Sequence, residues 1–220
     1  MTITVNIMSY RYGHLVAQAV DSVLSQTVKP AAIRVYDDGV GDCSFIKDIY
    51  PEVELIERPK NLGTTKNFQD ALERTETDYV MFLGADNYLR QDALEILTKG
   101  LNEDIVGYDV ALTGELSDKF RQLVGAYERR EGYPIWKFNI PDNQKDKIKR
   151  INEINFIHGS ALYRVAKAKE SGYIQLGDSS NPQEDWGLFK EMLKNGAIHK
   201  HIEEPLLYYR RHKENFIKNF

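Results

Sequence analysis

YVMFLGADNYLR, residues Tyr79–Arg90, decides how this chain is read. Tyr79 to Leu83 are all apolar or aromatic and predict a strand buried on both faces. Gly84, Ala85, Asp86 and Asn87 form a polar tip. From Asp92 onward, Leu94, Ile96, Leu97 and Leu101 recur at helical spacing. Strands of a mainly parallel sheet are covered on both faces, and ligands bind beyond their carboxyl ends. Asp86 is therefore placed to hold a divalent cation, or, more plainly, to cap a helix or shape a turn. What else reaches the same edge decides between these readings.

Upstream, Ile3, Val5 and Ile7 alternate and predict a first strand ending at Ser9-Tyr10. Leu15, Val16, Ala19, Val20, Val23 and Leu24 describe one face of a helix. Ser25-Gln26-Thr27 closes that helix, and Pro30 prevents a restart. Ala32–Tyr36 is a second strand with Asp37-Asp38-Gly39 at its tip. A short helix over Phe45–Tyr50, a strand over Val53–Glu57 and a helix from about Lys66 to Arg74 complete this part. Repeated strand–helix units predict an α/β layered fold on a mainly parallel sheet. In such a sheet Ser9-Tyr10, Asp37-Asp38 and Asp86-Asn87 lie on one edge.

The second half is less regular. Ile105–Leu112 reads as a strand and Asp118–Arg130 as helical. Tyr133–Arg150, with Pro134, Pro141 and Lys145, Lys147, Lys149 and Arg150, reads as an excursion or mobile loop with a solvated charge run. Phe156–Tyr163 reads as a strand broken by His158-Gly159-Ser160. Gln183–Asn195 is a helix carrying Glu184 and Asp185 in its first turn. Ala197–His201 and Leu206–Tyr209 read as two short strands.

At 220 residues the chain is long enough for one substantial core. A net charge of −4 gives no field that favours nucleic acid. The lone Cys43 excludes an intrachain disulfide framework and a cysteine-rich zinc site, and reads as a small filler in its loop. No apolar run reaches the roughly 20 residues that span a bilayer. The opening MTITVNIMSY has no signal-peptide character, so a cytoplasmic location is expected.

A nucleotide sugar would use such an edge. One strand-end aspartate accepts the N3–H of uracil. A second holds Mg²⁺ or Mn²⁺ against the diphosphate, where the cation supports the departing charge. A third carboxylate takes the proton of an acceptor hydroxyl. Asp38, Asp86 and Asp185 are placed for these roles. Each also has a plainer reading as a turn, a cap or a complement to a helix dipole.

The order and spacing of IMSYRYGHLVAQAVDSVLSQT, VYDDGVGD, NLGTTKNFQDAL, FLGADNYL, HGSALYR and QEDWGLF resemble the inverting family 2 glycosyltransferases. The resemblance runs along nearly the whole chain, with particular similarity to compact bacterial spore-coat-type members. It implies a GT-A fold, a Rossmann-like, mainly parallel central sheet flanked by helices with a smaller irregular acceptor-side region. The whole of 1–220 would be one domain, with a nucleotide-binding half over 1–103 and an acceptor-binding half over 104–220. By resemblance, Ser9, Tyr10, Asp37, Asp38, Lys66 and Asp86 contact a UDP-linked donor. Asn67 is structural. Asp185 is the general base, with His158, Glu184 and Trp186 on the acceptor side. Asp86 and His212, in YYRRHKEN, hold Mn²⁺ or Mg²⁺. The acceptor is a glycan or glycoconjugate, and peripheral membrane contact is compatible with the basic run. Gly84-Ala85-Asp86-Asn87 departs from the usual Asp-x-Asp-Asp and keeps a single carboxylate. A non-catalytic nucleotide-sugar binding module and a sugar nucleotidyltransferase are the alternatives. SYRYGH after the first strand lacks the glycine-rich basic loop of the latter.

Overall fold

The computed structural model describes residues 1–178 and 181–215. Strand β1 (Ile3–Ser9) is entirely buried and forms the spine of the sheet. It pairs in parallel with β2 (Ala32–Asp37) on one side and β4 (Tyr79–Gly84) on the other. The register sets Ser9 opposite Asp37 and Met8 opposite Gly84. β3 (Glu54–Glu57) extends the parallel set beyond β2. Three strand ends are thereby aligned, as the sequence predicts.

Side-chain alternation along β4 explains why its apolar run is continuous. Tyr79, Met81 and Leu83 join the core under α1 (Gly13–Leu24), α2 (Ile46–Ile49) and α4 (Ala93–Thr98). Val80 and Phe82 join the opposite core, under α3 (Thr64–Glu73), α7 (Val165–Ser171) and α8 (Glu184–Lys194). A strand covered on both faces has no polar positions to spare. Cys43 is fully buried within the core under α1, α2 and α4, as a filler should be.

The sheet continues past β4 through β9 (Leu162–Arg164), β6 (Ile105–Thr113), β10 (His199–Arg210) and β5 (Tyr88–Leu89). β9 runs antiparallel to both β4 and β6, while β6 and β10 are parallel. The arrangement is a GT-A-like α/β fold with helices on both faces.

Several expectations for the second half are corrected. Tyr133–Arg150 is no loop, since it holds β8 (Tyr133–Trp136) and α6 (Gln144–Ile151). β8 pairs with β6, and Asn143 caps α6 by accepting from the Asp146 amide at 3.0 Å. The helix expected over Asp118–Arg130 is shorter. α5 (Ser117–Val124) stops at Gly125, whose φ of 68° ends it, and β7 (Arg129–Arg130) follows. Only Leu162–Arg164 of the HGSALYR region is a strand. The two strands expected near the C-terminus are one, β10, with register shifts around Pro205.

One buried side chain ties α1 to the loop after the central strand. Gln26 is fully buried. Its amide donates to the carbonyls of Ser22 at 2.9 Å and Arg90 at 2.7 Å, and its oxygen accepts from the Leu94 amide at 2.9 Å. Gln26→Leu strands the Leu94 N–H in the core, while the Arg90 carbonyl keeps its bond from the Ala93 amide at 3.0 Å, and one stranded group costs about 1–3 kcal/mol. Urea denaturation of the variant is expected to show a loss of about 1–3 kcal/mol. A change within the scatter of surface substitutions would mean that water replaces these bonds.

Candidate active site

The ends of β1 and β2 build the first wall. Asp37 and Asp38 are adjacent, but the fold uses them differently. Asp37 turns into its own loop, where its carboxylate accepts from the amides of Val40 at 2.9 Å and Cys43 at 3.2 Å. Asp38 points the other way and accepts from the Leu62 amide at 2.9 Å through Oδ1. It thereby links the β2 tip to the NLGTTKNF segment. Ser9 is buried, and its hydroxyl accepts from the Cys43 thiol at 3.3 Å. Burial pushes that thiol up to about 12, so Cys43 stays protonated. Asp37, Asp42 and Cys43 lie close enough to suggest a cation site. Their donors are already engaged, since Asp42 accepts from the Gly13 amide at 3.0 Å. Tyr10 is half-buried beneath the Arg11 guanidinium, and Arg11 takes a left-handed φ of 64°. Lys66 is exposed on the first turn of α3. Asn67 is buried and accepts from Arg58 at 3.3 Å, a structural role.

The tip of β4 builds the second wall. Asp86 is buried, 7% exposed. A side chain at Gly84 would collide with it, because a Cβ there lies 2.7 Å from Asp86 Oδ1 and 2.8 Å from Asn87 Nδ2. The glycine thus makes room for the two polar side chains that follow. The chain returns across this tip after β10. The Arg210 amide donates to Asn87 Oδ1 at 2.9 Å, and His212 Nε2 comes to 3.4 Å from Asp86 Oδ2. Among the described residues, the buried His212 Nε2 has no hydrogen-bond partner. An orphaned imidazole nitrogen facing a carboxylate is the donor pair that a divalent cation requires. The donor set of Asp86 and His212 therefore fits Mn²⁺ or Mg²⁺.

The start of α8 builds the third wall. Gln183, just before it, adopts a left-handed φ of 52°, an uncommon conformation for a residue with a side chain. The next two residues are Glu184 and Asp185. Burial raises both carboxyls above the ordinary carboxylate range, and the Asp185 charge raises Glu184 further. Asp185 Oδ1 accepts from the Trp186 amide at 2.7 Å, and Oδ2 accepts from Asn155 at 3.4 Å. Gly159 lies against it, where a Cβ would sit 2.9 Å from Asp185 Oδ2. The HGS segment is thus close-fitted to this carboxylate. Trp186 is spent on packing, because its indole N–H donates to the Ile151 carbonyl at 2.6 Å and docks α8 on α6.

An aromatic group joins the walls. The His158 ring stands 5.1 Å from Tyr209, with Trp136 and Phe138 at 6.5 and 6.3 Å. Shielding from solvent lowers the His158 pKa to about 4, so the ring is neutral at pH 7, and its Nδ1 accepts from the Ser160 amide at 3.2 Å. Burial chiefly raises the Tyr209 hydroxyl, and the charges of Asp86 and Asp185 both add to that rise.

The fold brings Ser9, Tyr10, Asp38, Asp86, His212, Asp185 and His158 to one region. It turns Asp37 and Trp186 toward structural partners and leaves Lys66 in solvent. Tyr209, legible in the sequence only as the end of a short strand, and Asn155, which carries no pattern, also belong to this region, and Gly84 and Gly159 make room for its carboxylates. The small residues GS after His158, and Gly84 where an acid is usual, were the available signals.

A family model described as glycosyl transferase family 2 matches residues 4–172. The teichoic acid poly(glycerol phosphate) polymerase of Staphylococcus epidermidis is 25% identical over 199 residues, covering 87% of this chain. The chain spans about a quarter of that relative, 26% of its length. Glycosyltransferase GlyA of Streptococcus pneumoniae is 28% identical over 106 residues, 46% of this chain and 15% of that protein. Among solved structures, residues 1–349 of S. aureus TarS with UDP-GlcNAc superpose at a TM-score of 0.69. That match has 14% identity and covers all of this chain and 61% of that one. Mannosyltransferase PcManGT from Pyrobaculum calidifontis, in complex with GDP-Man and Mn²⁺, gives 0.65 at 16% identity, covering 97% and 58%. These structural likenesses establish the shared fold.

The raised carboxyls of Glu184 and Asp185 carry a stability signature. The folded chain holds protons that the unfolded chain releases near pH 4, the ordinary carboxylate value of about 4. Stability therefore falls as pH rises through the window above that value. Asp185→Asn removes one charge, so its stability advantage over the parent is expected to grow between pH 5 and pH 8. Parallel urea-denaturation profiles across that range would show that the pair titrates as ordinary exposed acids.

Proposed function

The chain belongs to glycosyl transferase family 2, and on that footing we propose that it moves a sugar from a UDP-linked donor to an acceptor hydroxyl with inversion. The supporting observation is geometric: His212 Nε2 stands 3.4 Å from Asp86 Oδ2, and Tyr209, three residues before it, packs 5.1 Å from His158, whose neighbour Gly159 is fitted against Asp185. A cation site and a base so related serve a single reacting centre.

In this reading Asp38 accepts the uracil N3–H, while Ser9 and Tyr10 border the nucleoside. Residues 1–103 form the donor side and 104–220 the acceptor side, with His212 reaching back to Asp86. Asp86 and His212 hold the cation, which supplies positive charge to the departing diphosphate. Asp185 takes the proton of the acceptor hydroxyl. Its raised pKa makes it a stronger base than an exposed aspartate, and Asn155 and the Trp186 amide fix its orientation. One in-line displacement inverts the anomeric carbon, so an α-linked donor yields a β-linked product. His158 and the rings around it offer an apolar face on which a sugar ring can rest. The relative named as a teichoic acid poly(glycerol phosphate) polymerase favours a polymer of that kind as the acceptor class.

Replacing Asp185 with Asn is expected to reduce transfer about 10²–10⁴-fold, the usual contribution of a general base. Calorimetric titration with UDP should give the parent affinity, because Asp185 lies on the acceptor side. Loss of UDP binding together with transfer would assign Asp185 a structural role. Full transfer by the variant would place the base elsewhere.

A further inference from the structure

The segment after β10 crosses the β4 tip and is anchored along its length. The Leu116 amide donates to the Arg211 carbonyl at 3.0 Å, and the Lys213 amide donates to Glu115 at 3.1 Å. The Tyr12 hydroxyl donates to the Glu214 carbonyl at 3.0 Å. These bonds hold the segment without help from Asp86. One more residue is buried at its end, and its bonding has a different direction. Asn215 is 5% exposed. Its amide nitrogen donates to Asp86 Oδ2 at 2.9 Å and to the Arg210 carbonyl at 3.2 Å. Its side-chain oxygen accepts from the His212 backbone amide at 2.7 Å.

One carboxamide therefore joins the two residues that fit a cation. Only a side chain with a donor and an acceptor on one rigid plane can do this, and carboxamides have that form. A bond from an amide to a carboxylate is charge-assisted and orients the acceptor strongly. The bond to the His212 amide fixes the backbone from which the imidazole projects. Two cis ligands about 2.1 Å from an octahedral cation stand about 3 Å apart. The 3.4 Å between His212 Nε2 and Asp86 Oδ2 is close to that spacing. Holding this pair together costs entropy, and the orphaned Nε2 shows that the pair's own hydrogen bonding does not offset it.

We propose that Asn215 is a positioning residue that pre-aligns Asp86 and His212 for the divalent cation. It supplies outer-shell support that the thinned Gly84-Ala85-Asp86-Asn87 motif lacks. Asn87 assists from the other side through the Arg210 amide. The proposal rests on the reading of Asp86 and His212 as the cation's ligands. Substituting outer-shell partners typically weakens metal affinity about 10–100-fold.

The test is Mn²⁺ binding to the nucleotide-free full chain, read by electron paramagnetic resonance of the free ion. Four variants are compared with the parent: Asp86→Ala, Asn215→Ala, Asn215→Gln and Lys213→Ala. Asn215→Ala is expected to weaken Mn²⁺ binding about 10-fold or more, with metal-free UDP binding unchanged. Asn215→Gln keeps the carboxamide but sets it one methylene too far, and is expected to weaken binding while preserving the fold. Lys213→Ala loosens the same segment at its exposed ion pair with Glu115 and should bind Mn²⁺ as the parent does. If both Asn215 variants bind like the parent, the proposal is overturned. An equal loss in Lys213→Ala also overturns it, because slackening of the segment would then be the cause. No Mn²⁺ binding by the parent, or parent-like binding by Asp86→Ala, overturns the underlying ligand assignment instead.

Discussion

The register of β1 between β2 and β4 is the constraint on which the rest depends. Because side chains in a sheet alternate strictly, a slip of one residue would move every side chain from one core into the other. Ser9 would then no longer face Asp37, nor Met8 face Gly84. Both faces of β1 and β4 are packed, so the two cores defend this register together. The strand ends are consequently fixed to within a side chain's reach. Their loops can differ in conformation without disturbing the edge on which Ser9, Asp38 and Asp86 lie.

Function enters where the chain departs from that regularity. β10 is pulled out of register around Pro205 and resumes to deliver Tyr209, Arg210 and His212 to the tip of β4. Gln183 accepts a strained backbone, and Gly159 gives up a side chain, so that Asp185 can be buried beside the HGS segment. Burying two adjacent carboxyls costs stability, and the molecule keeps them. Natural proteins concentrate such costs at the sites they use.

The first half was legible because its elements carry strong apolar periods. α1 shows its buried face as Val16, Ala19, Val20 and Val23, and β4 shows five consecutive buried residues. The second half was not, for identifiable reasons. In α6 only Ile151 is fully buried among charged neighbours, so its period is hidden. Glu203-Glu204-Pro205 looked like a break in what is one bulged strand. Of the site, the strand-end aspartates and the Glu184-Asp185 pair were readable from position. The division between Asp37 and Asp38 was not, because adjacent acids in a turn differ only in direction. Asn215 had no periodic context and no charge, and its role depends on a backbone path that brings residues 86 and 215 together.

The most direct test of the account is a calorimetric titration of the chain with UDP, GDP, CDP, ADP and TDP, each with and without Mn²⁺. The account predicts selective binding of UDP, strengthened by Mn²⁺. It also predicts that Asp38→Ala removes the preference for uracil while the response to Mn²⁺ remains. Binding of no nucleotide, or binding of all five alike and without regard to the metal, would contradict it. The strand-end carboxylates would then be turns and caps, and the edge they share would have no donor.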